Sequence, residues 1–98
     1  MVITPLQGGE FGVILSAQGL QPGGVYLIDG ITAGTPVGTA PFAASLATSE
    51  FTADGQGNGI YSFISATNPQ TSYTGVLLLY LPNDQVANSV VVATGTLG

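Results

Sequence analysis

The sequence predicts an all-β fold, an antiparallel two-sheet β-sandwich of about seven strands, and three observations lead to it. Fifteen glycines and six prolines punctuate the chain so closely that few segments, Ala43 to Asp54 among them, leave room for a helix. The segments between them are rich in Val, Ile, Thr, Tyr and Phe, residues that fit a pleated surface. Turn signals recur roughly every 8 to 12 residues, the spacing of a sandwich, and the lack of alternating helices excludes a parallel α/β sheet. The 98 residues make one domain, 1–98, since a chain of this length has little apolar surface left over for a second core. Hydrophobic residues are 45% of the chain and charged residues 5%, so a packed core can offset the entropy of ordering it.

The elements follow in order. Val2 to Leu6 reads as a short first strand, and residues 1–10, ending in VITPLQGGE, double as a candidate extended arm toward a neighbour. FGVILSAQ alternates, with Phe11, Val13, Leu15 and Ala17 on one face and Gly12, Ile14, Ser16 and Gln18 on the other. In GLQPGG, Pro22 and Gly23 suit the central positions of a type II turn, so VYLIDGI is expected to return as the partner strand. Residues 32 to 45 read as a loop. AASLATSEFTAD has helical spacing at Ala44, Ala47 and Phe51, but its Thr and Ser content and the turn directly after it favour a strand. DGQGNG is expected to join that strand to IYSFISAT as a hairpin. NPQTS and PNDQ bound TGVLLLYL, and SVVVATGTL closes the chain.

Charge excludes several partners. Glu10, Asp29, Glu50, Asp54 and Asp84 are the only charged side chains, with no Lys, Arg or His, giving a net charge of −5. Nucleic-acid binding depends on cations that neutralise phosphates, and anionic membrane surfaces attract the same cations, so neither partner is expected. No run approaches the ~18 apolar residues of a membrane span, and MVITPLQGGEF lacks the basic and apolar regions of a signal peptide. There is no cysteine, hence no disulfide framework. The absence of Lys and Arg removes every trypsin-type cleavage site, which suits an extracellular or cell-surface location.

The same absences remove most catalytic chemistry. With no His, Cys, Lys or Arg, only carboxylates, hydroxyls and backbone remain to move protons or attack carbon, and the chain is not expected to be an enzyme. Glu50 and Asp54, four strand residues apart, would be separated by ~13 Å, outside the ~5 to 9.5 Å of a glycosidase pair. In DGQGNG, Asp54, Gln56 and Asn58 alternate as in the opening of a calcium loop, but Ser65 stands where a bidentate glutamate belongs. Asp, Asn and Gly are also what a tight turn requires, so no metal and no cofactor are expected. Tyr26, Tyr61, Tyr73 and Tyr80 would make an aromatic carbohydrate platform if they shared a face; core and rim positions are the commoner use of such rings.

Four successive stretches, QGLQPGGVYLI, FTADGQGNGIYSF, SYTGVLLLYL and VVATGTL, resemble the immunoglobulin-like or fibronectin-type-III-like β-sandwich modules of bacterial surface and secreted proteins. A GL.PG..Y turn and a D..GN hairpin recur in those modules. The resemblance covers most of the chain from Phe11 onward and implies the broad class of an Ig-like sandwich. It is carried by turns, which fix connections and not activity. Tyr73 stands where a tyrosine corner would close the preceding loop, or is an ordinary aromatic at a strand start. The cysteine pair and tryptophan of antibody domains are missing.

One segment does not fit a solitary sandwich. In TGVLLLYLP, Gly75, Leu77, Leu79 and Leu81 point one way and Val76, Leu78 and Tyr80 the other, so neither face is polar. A two-layer sandwich buries one face of each sheet and wets the other. An outward row of Val76, Leu78 and Tyr80, merging with Val91 and Ala93 of the closing strand, would form an exposed apolar patch. Either residues 32 to 45 fold over it or another molecule does, and patches of that extent mark interaction sites. No lysine guards any strand edge. The expectation is a structural building block that forms a homo-oligomer or filament through Val76, Leu78, Tyr80, Val91 and Ala93, with a carbohydrate-binding or adhesion module as the alternative.

Overall fold

The computed structural model describes residues 1–32, 35–42 and 49–97. Its strands are β1 (Val2–Pro5), β2 (Phe11–Ala17), β3 (Val25–Thr32), β4 (Thr35–Pro41), β5 (Glu50–Thr52), β6 (Gly59–Ser65), β7 (Gly75–Tyr80) and β8 (Val90–Thr96), with one helical turn, α1 (Pro69–Ser72), before β7. A small sheet has the order β1-β2-β6, and a larger one the order β4-β3-β7-β8, with β5 also paired to β3. Because β5 lies against Val25–Leu27 and β4 against Asp29–Thr32, both share one edge of β3. Eight strands therefore fill seven positions, three facing four. Every pairing is antiparallel, and the all-β two-sheet sandwich is the observed architecture.

The turn chemistry read from the sequence is present, but two connections lead elsewhere. Gly23 has φ 73° and the Gly24 N–H donates to the Gln21 carbonyl at 2.9 Å, as a type II turn at Pro22–Gly23 requires. The turn nevertheless delivers the chain from β2 in the small sheet to β3 in the large one, so these strands are not partners. At DGQGNG the Asp54 carboxylate accepts from the Gln56 and Asn58 N–H groups, both at 2.9 Å, and the Asp54 N–H donates to the Asn58 carbonyl at 2.8 Å. This loop also crosses between sheets, from β5 to β6, in place of the expected hairpin. Tight turns specify a reversal of direction; which neighbour the strand then finds depends on how the apolar faces pack.

Two further expectations change. Residues 32 to 45, read as a loop, contain β4, which pairs with β3 across a register shift between Asp29 and Ile31. Of the strand expected over Ala43 to Asp54, Glu50–Thr52 is one, as β5; residues 43–48 lie outside the described residues.

The main core sits between the sheets. Val13 and Tyr61 contribute from the small sheet and Tyr26, Ile28, Val76 and Leu78 from the large one, closed by Phe42 and Ala53. Aromatic rings bind it together: Phe42 meets Phe63 edge-on at 5.6 Å between centroids and Tyr73 at 5.0 Å. Gly30 on β3 lies under the Tyr73 ring, so closely that a methyl group in its place would overlap the ring. What Tyr73 contributes is this ring contact, and its backbone N–H donates to the Pro69 carbonyl at 2.9 Å to end α1.

The apolar run of β7 is resolved by a second, smaller core. Val76 and Leu78 are buried, at 7% and 8% exposure, and face the small sheet. The expected assignment of faces is thus reversed: Leu79 and Leu81, with Leu27 of β3, form the outer row, and they too are buried, packed against Val25 and Val86. The connection from Pro82 to Asn88, two successive 3-10 turns, carries Val86 across the outside of the large sheet. Its start is fixed where Leu81 N–H donates to the Val25 carbonyl at 2.9 Å. Asn83 and Asp84 take left-handed φ of 54° and 58°, which fold the connection back over the sheet.

Candidate interaction surfaces

The residues expected to form one interface separate into three environments. Val76 and Leu78 are buried and turned toward the small sheet, and what little surface they keep opens on the space between the sheets. Tyr80 is half-buried, tilted against Tyr26 at 5.3 Å between ring centroids. Val91 and Ala93 are exposed. Only the β8 members of the expected set lie on the surface.

β8 is exposed along all seven of its residues. It pairs with β7 through Gly75↔Thr96, Val76↔Gly95, Leu77↔Thr94 and Leu78↔Ala93, shifts register, and continues as Leu79↔Val91 and Tyr80↔Val90. Directly opposed residues share a face, so Val90, Ala93 and Gly95 lie on the inward side with Tyr80, Leu78 and Val76. That side stays wet because, among the described residues, the small sheet is one position narrower and has no strand to lay over it. The other edge of β8 has no strand partner among the described residues. Val90, Val91 and Val92, about half exposed at 49–54%, present apolar surface to both faces.

The shortage of one strand leaves a groove of about 370 Å³ between the free edge of β1 and the inward side of β8. Ile3, Leu15, Ala17, Leu78, Ala93 and Leu97 are among the residues that line it, and none of its lining side chains is charged. Small residues at Ala93 and Gly95 keep its floor low.

A second apolar surface covers the outside of the small sheet, which the sequence reading did not single out. The alternation that points Val13 and Leu15 inward points Ile14 outward, and the registers Val2↔Ile14, Ser16↔Ile60 and Gly12↔Ile64 gather four large side chains there. Val2, Ile14, Ile60 and Ile64 are 51–70% exposed. Serines and Thr4 stand between them, with no charge.

The carboxylates lie elsewhere. Asp29, on β3, is almost fully buried; its Oδ1 accepts the Gly30 N–H at 2.9 Å, while Oδ2 has no hydrogen-bond partner among the described residues. Burial raises its pKa above the ordinary 3.8, partly countered by that hydrogen bond. Glu50 is raised above 4.5, first by desolvation and then by the neighbouring Asp84 carboxylate. Asp54 is lowered by the N–H groups of Asn58 and Gln56. Among the described residues no three carboxylates converge as a metal would need. The four tyrosines do not make a platform: Tyr26 and Tyr61 are buried and Tyr73 and Tyr80 partly so, all in or against the main core. A second cavity of about 400 Å³ has Phe42, Phe63 and Tyr73 among its lining residues, with hydroxyls from Ser65, Thr67 and Ser72.

No helix among the described residues is long and apolar enough to cross a membrane. Compared with protein-family models, with curated proteins and with solved structures, the chain matches none.

Proposed function

We propose that the protein is a non-enzymatic structural building block that associates with copies of itself through apolar β-strand surfaces, as a subunit of an extracellular fibre, appendage, coat or surface layer. The observation that carries this reading is β8: a seven-residue edge strand, exposed throughout and opening on three valines. An exposed edge is a template for pairing with another chain, and solitary proteins blunt theirs with lysine, proline or inward charges. β8 has none of these. Copies that each carry −5 repel through their carboxylates, and the surfaces on which they can meet without that repulsion are the uncharged ones, β8 and the outside of the small sheet. The resemblance of the turn motifs to immunoglobulin-like surface modules supports the same placement outside the cell.

Size-exclusion chromatography with light scattering tests it. Association that grows with concentration and is abolished by Val91→Lys is the expected result; a wild-type monomer at the highest concentrations reached would overturn it. The alternative, a carbohydrate-binding module, rests on the cavity where Phe42, Phe63 and Tyr73 meet three hydroxyls, an apolar floor with a polar rim of the kind sugars use. A glycan array without hits removes that alternative.

A further inference from the structure

The inequality between the sheets says how two copies fit. The small sheet has three positions and the large sheet four, and the uncovered position is β8, beside the groove that borders β1. Among the described residues one protomer therefore lacks a strand next to β1, and has no strand above β8.

We infer that two copies join about a two-fold axis parallel to the strands, so that each β8 occupies the place beside the other copy's β1 and covers the other copy's β8. Rotation about that axis exchanges left with right and upper layer with lower. The small sheet of one copy then continues into the large sheet of the other, giving three plus four positions in both layers. The two β8 strands lie face to face at the axis, with Val90, Ala93 and Gly95 meeting their counterparts. An interface of this kind is self-complementary, as a two-fold contact must be. It also covers the inward side of β8, which simple edge-to-edge pairing of two β8 strands would leave wet. This inference rests on the self-association proposed above and specifies its geometry.

Three features of the surface select a second copy over other occupants. No charged side chain lines the groove or stands on β1 or β8, so two equally acidic molecules meet there without desolvating a carboxylate. The missing element is one strand wide, and β8 is a strand with apolar or small residues on both faces. Its seven residues span ~23 Å. Joining the copies covers, on each, the free edge of β8, its inward side with Val90, Ala93 and Gly95, and the groove wall. The outsides of the two small sheets, with Ile14, Ile60 and Ile64, then lie on opposite faces of the pair and remain open to further contacts.

The chain contains no cysteine, so single-cysteine variants report contacts cleanly. Ala93 is exposed in the protomer, and Ala93→Cys is expected to fold as wild type. Facing strands in packed sheets stand ~10 Å apart, within reach of a short bis-maleimide. Efficient conversion of Ala93→Cys to a covalent dimer at concentrations where light scattering detects association is the expected result, together with at least a tenfold weakening of association by Ala93→Arg with an unchanged circular-dichroism spectrum. Association without cross-linking at position 93 overturns this geometry and leaves self-association standing. A monomer at every concentration overturns both.

Discussion

Leu81→Ala tests the second core, on which the resolution of the apolar run in β7 depends. Leu81 is 1% exposed and packs with Leu27 and Leu79 beneath Val25 and Val86. Truncating a fully enclosed leucine removes its transfer free energy and leaves a cavity, at a cost of about 2–5 kcal/mol. Here the covering connection is held at Leu81 itself, by its N–H to the Val25 carbonyl, so collapse into the cavity is limited and a loss of about 3 kcal/mol is expected. For a domain of this size that lowers Tm by on the order of 10 °C or more. The paired control is Val91→Ala on β8, whose side chain is half exposed and whose loss is expected to cost under about 1 kcal/mol. Urea unfolding followed by circular dichroism, at two protein concentrations tenfold apart, measures both. If Leu81→Ala costs no more than Val91→Ala, the outer face of β7 is not sealed by its own chain and the assignment of a second core is wrong. If its cost vanishes at low concentration, the cover comes from another molecule and not from residues 82–88.

Other outcomes follow from the same packing. Leu78→Asp places a carboxylate between the sheets among Tyr26, Ile28 and Val76, and loss of the native circular-dichroism signal is expected, where a surface position would give a folded monomer. Gly30→Ala drives a methyl group into the Tyr73 ring; overpacking of this sort costs about 1–3 kcal/mol, and Gly30→Ala with Tyr73→Ala together should recover part of the loss to overlap. The carboxylates give stability an acid optimum. Asp29 and Glu50 have folded pKa values raised above 3.8 and 4.5, so the folded state holds more protons than the unfolded one, and their stabilising increment is complete below those ordinary values and lost as pH rises through the folded ones. Asp54 is lowered from 3.8, so its contribution is present above that value and lost as pH falls through its folded value. Urea midpoints are therefore expected to fall from pH 4.5 to 7 and Asp29→Asn to flatten that decline; a midpoint that rises over this interval contradicts the burial of Asp29.

Much of the architecture follows from local chemistry that the sequence carries. Pro22 and Gly23 specify a type II turn, Asp54 to Gly59 a loop closed by its own aspartate, and the alternation of Phe11 to Ala17 a half-buried strand. Each depends on residues close together in the chain, and each is present. The all-β class follows as well, because segments this short, rich in β-branched residues and interrupted this often bury their apolar faces by pairing into packed sheets. The absence of cationic side chains is likewise a property of composition alone.

Tertiary structure decided what lies opposite what. Period-two patterning gives two faces to a strand but names the inner one only when the other is polar, and in β7 both are apolar; the sequence reading chose the wrong face. The choice was made by Val86, which packs against Leu27, Leu79 and Leu81 from a connection whose Pro82, Asn83 and Asp84 signal a turn but not the face over which it folds. Turns that cross between sheets look the same as turns that close a hairpin, because the geometry of four residues does not record the distance to the next layer. For the same reason the uncovered strand could not be foreseen: whether β8 is wet depends on the small sheet having three positions and not four, a count set by the pairing of distant segments.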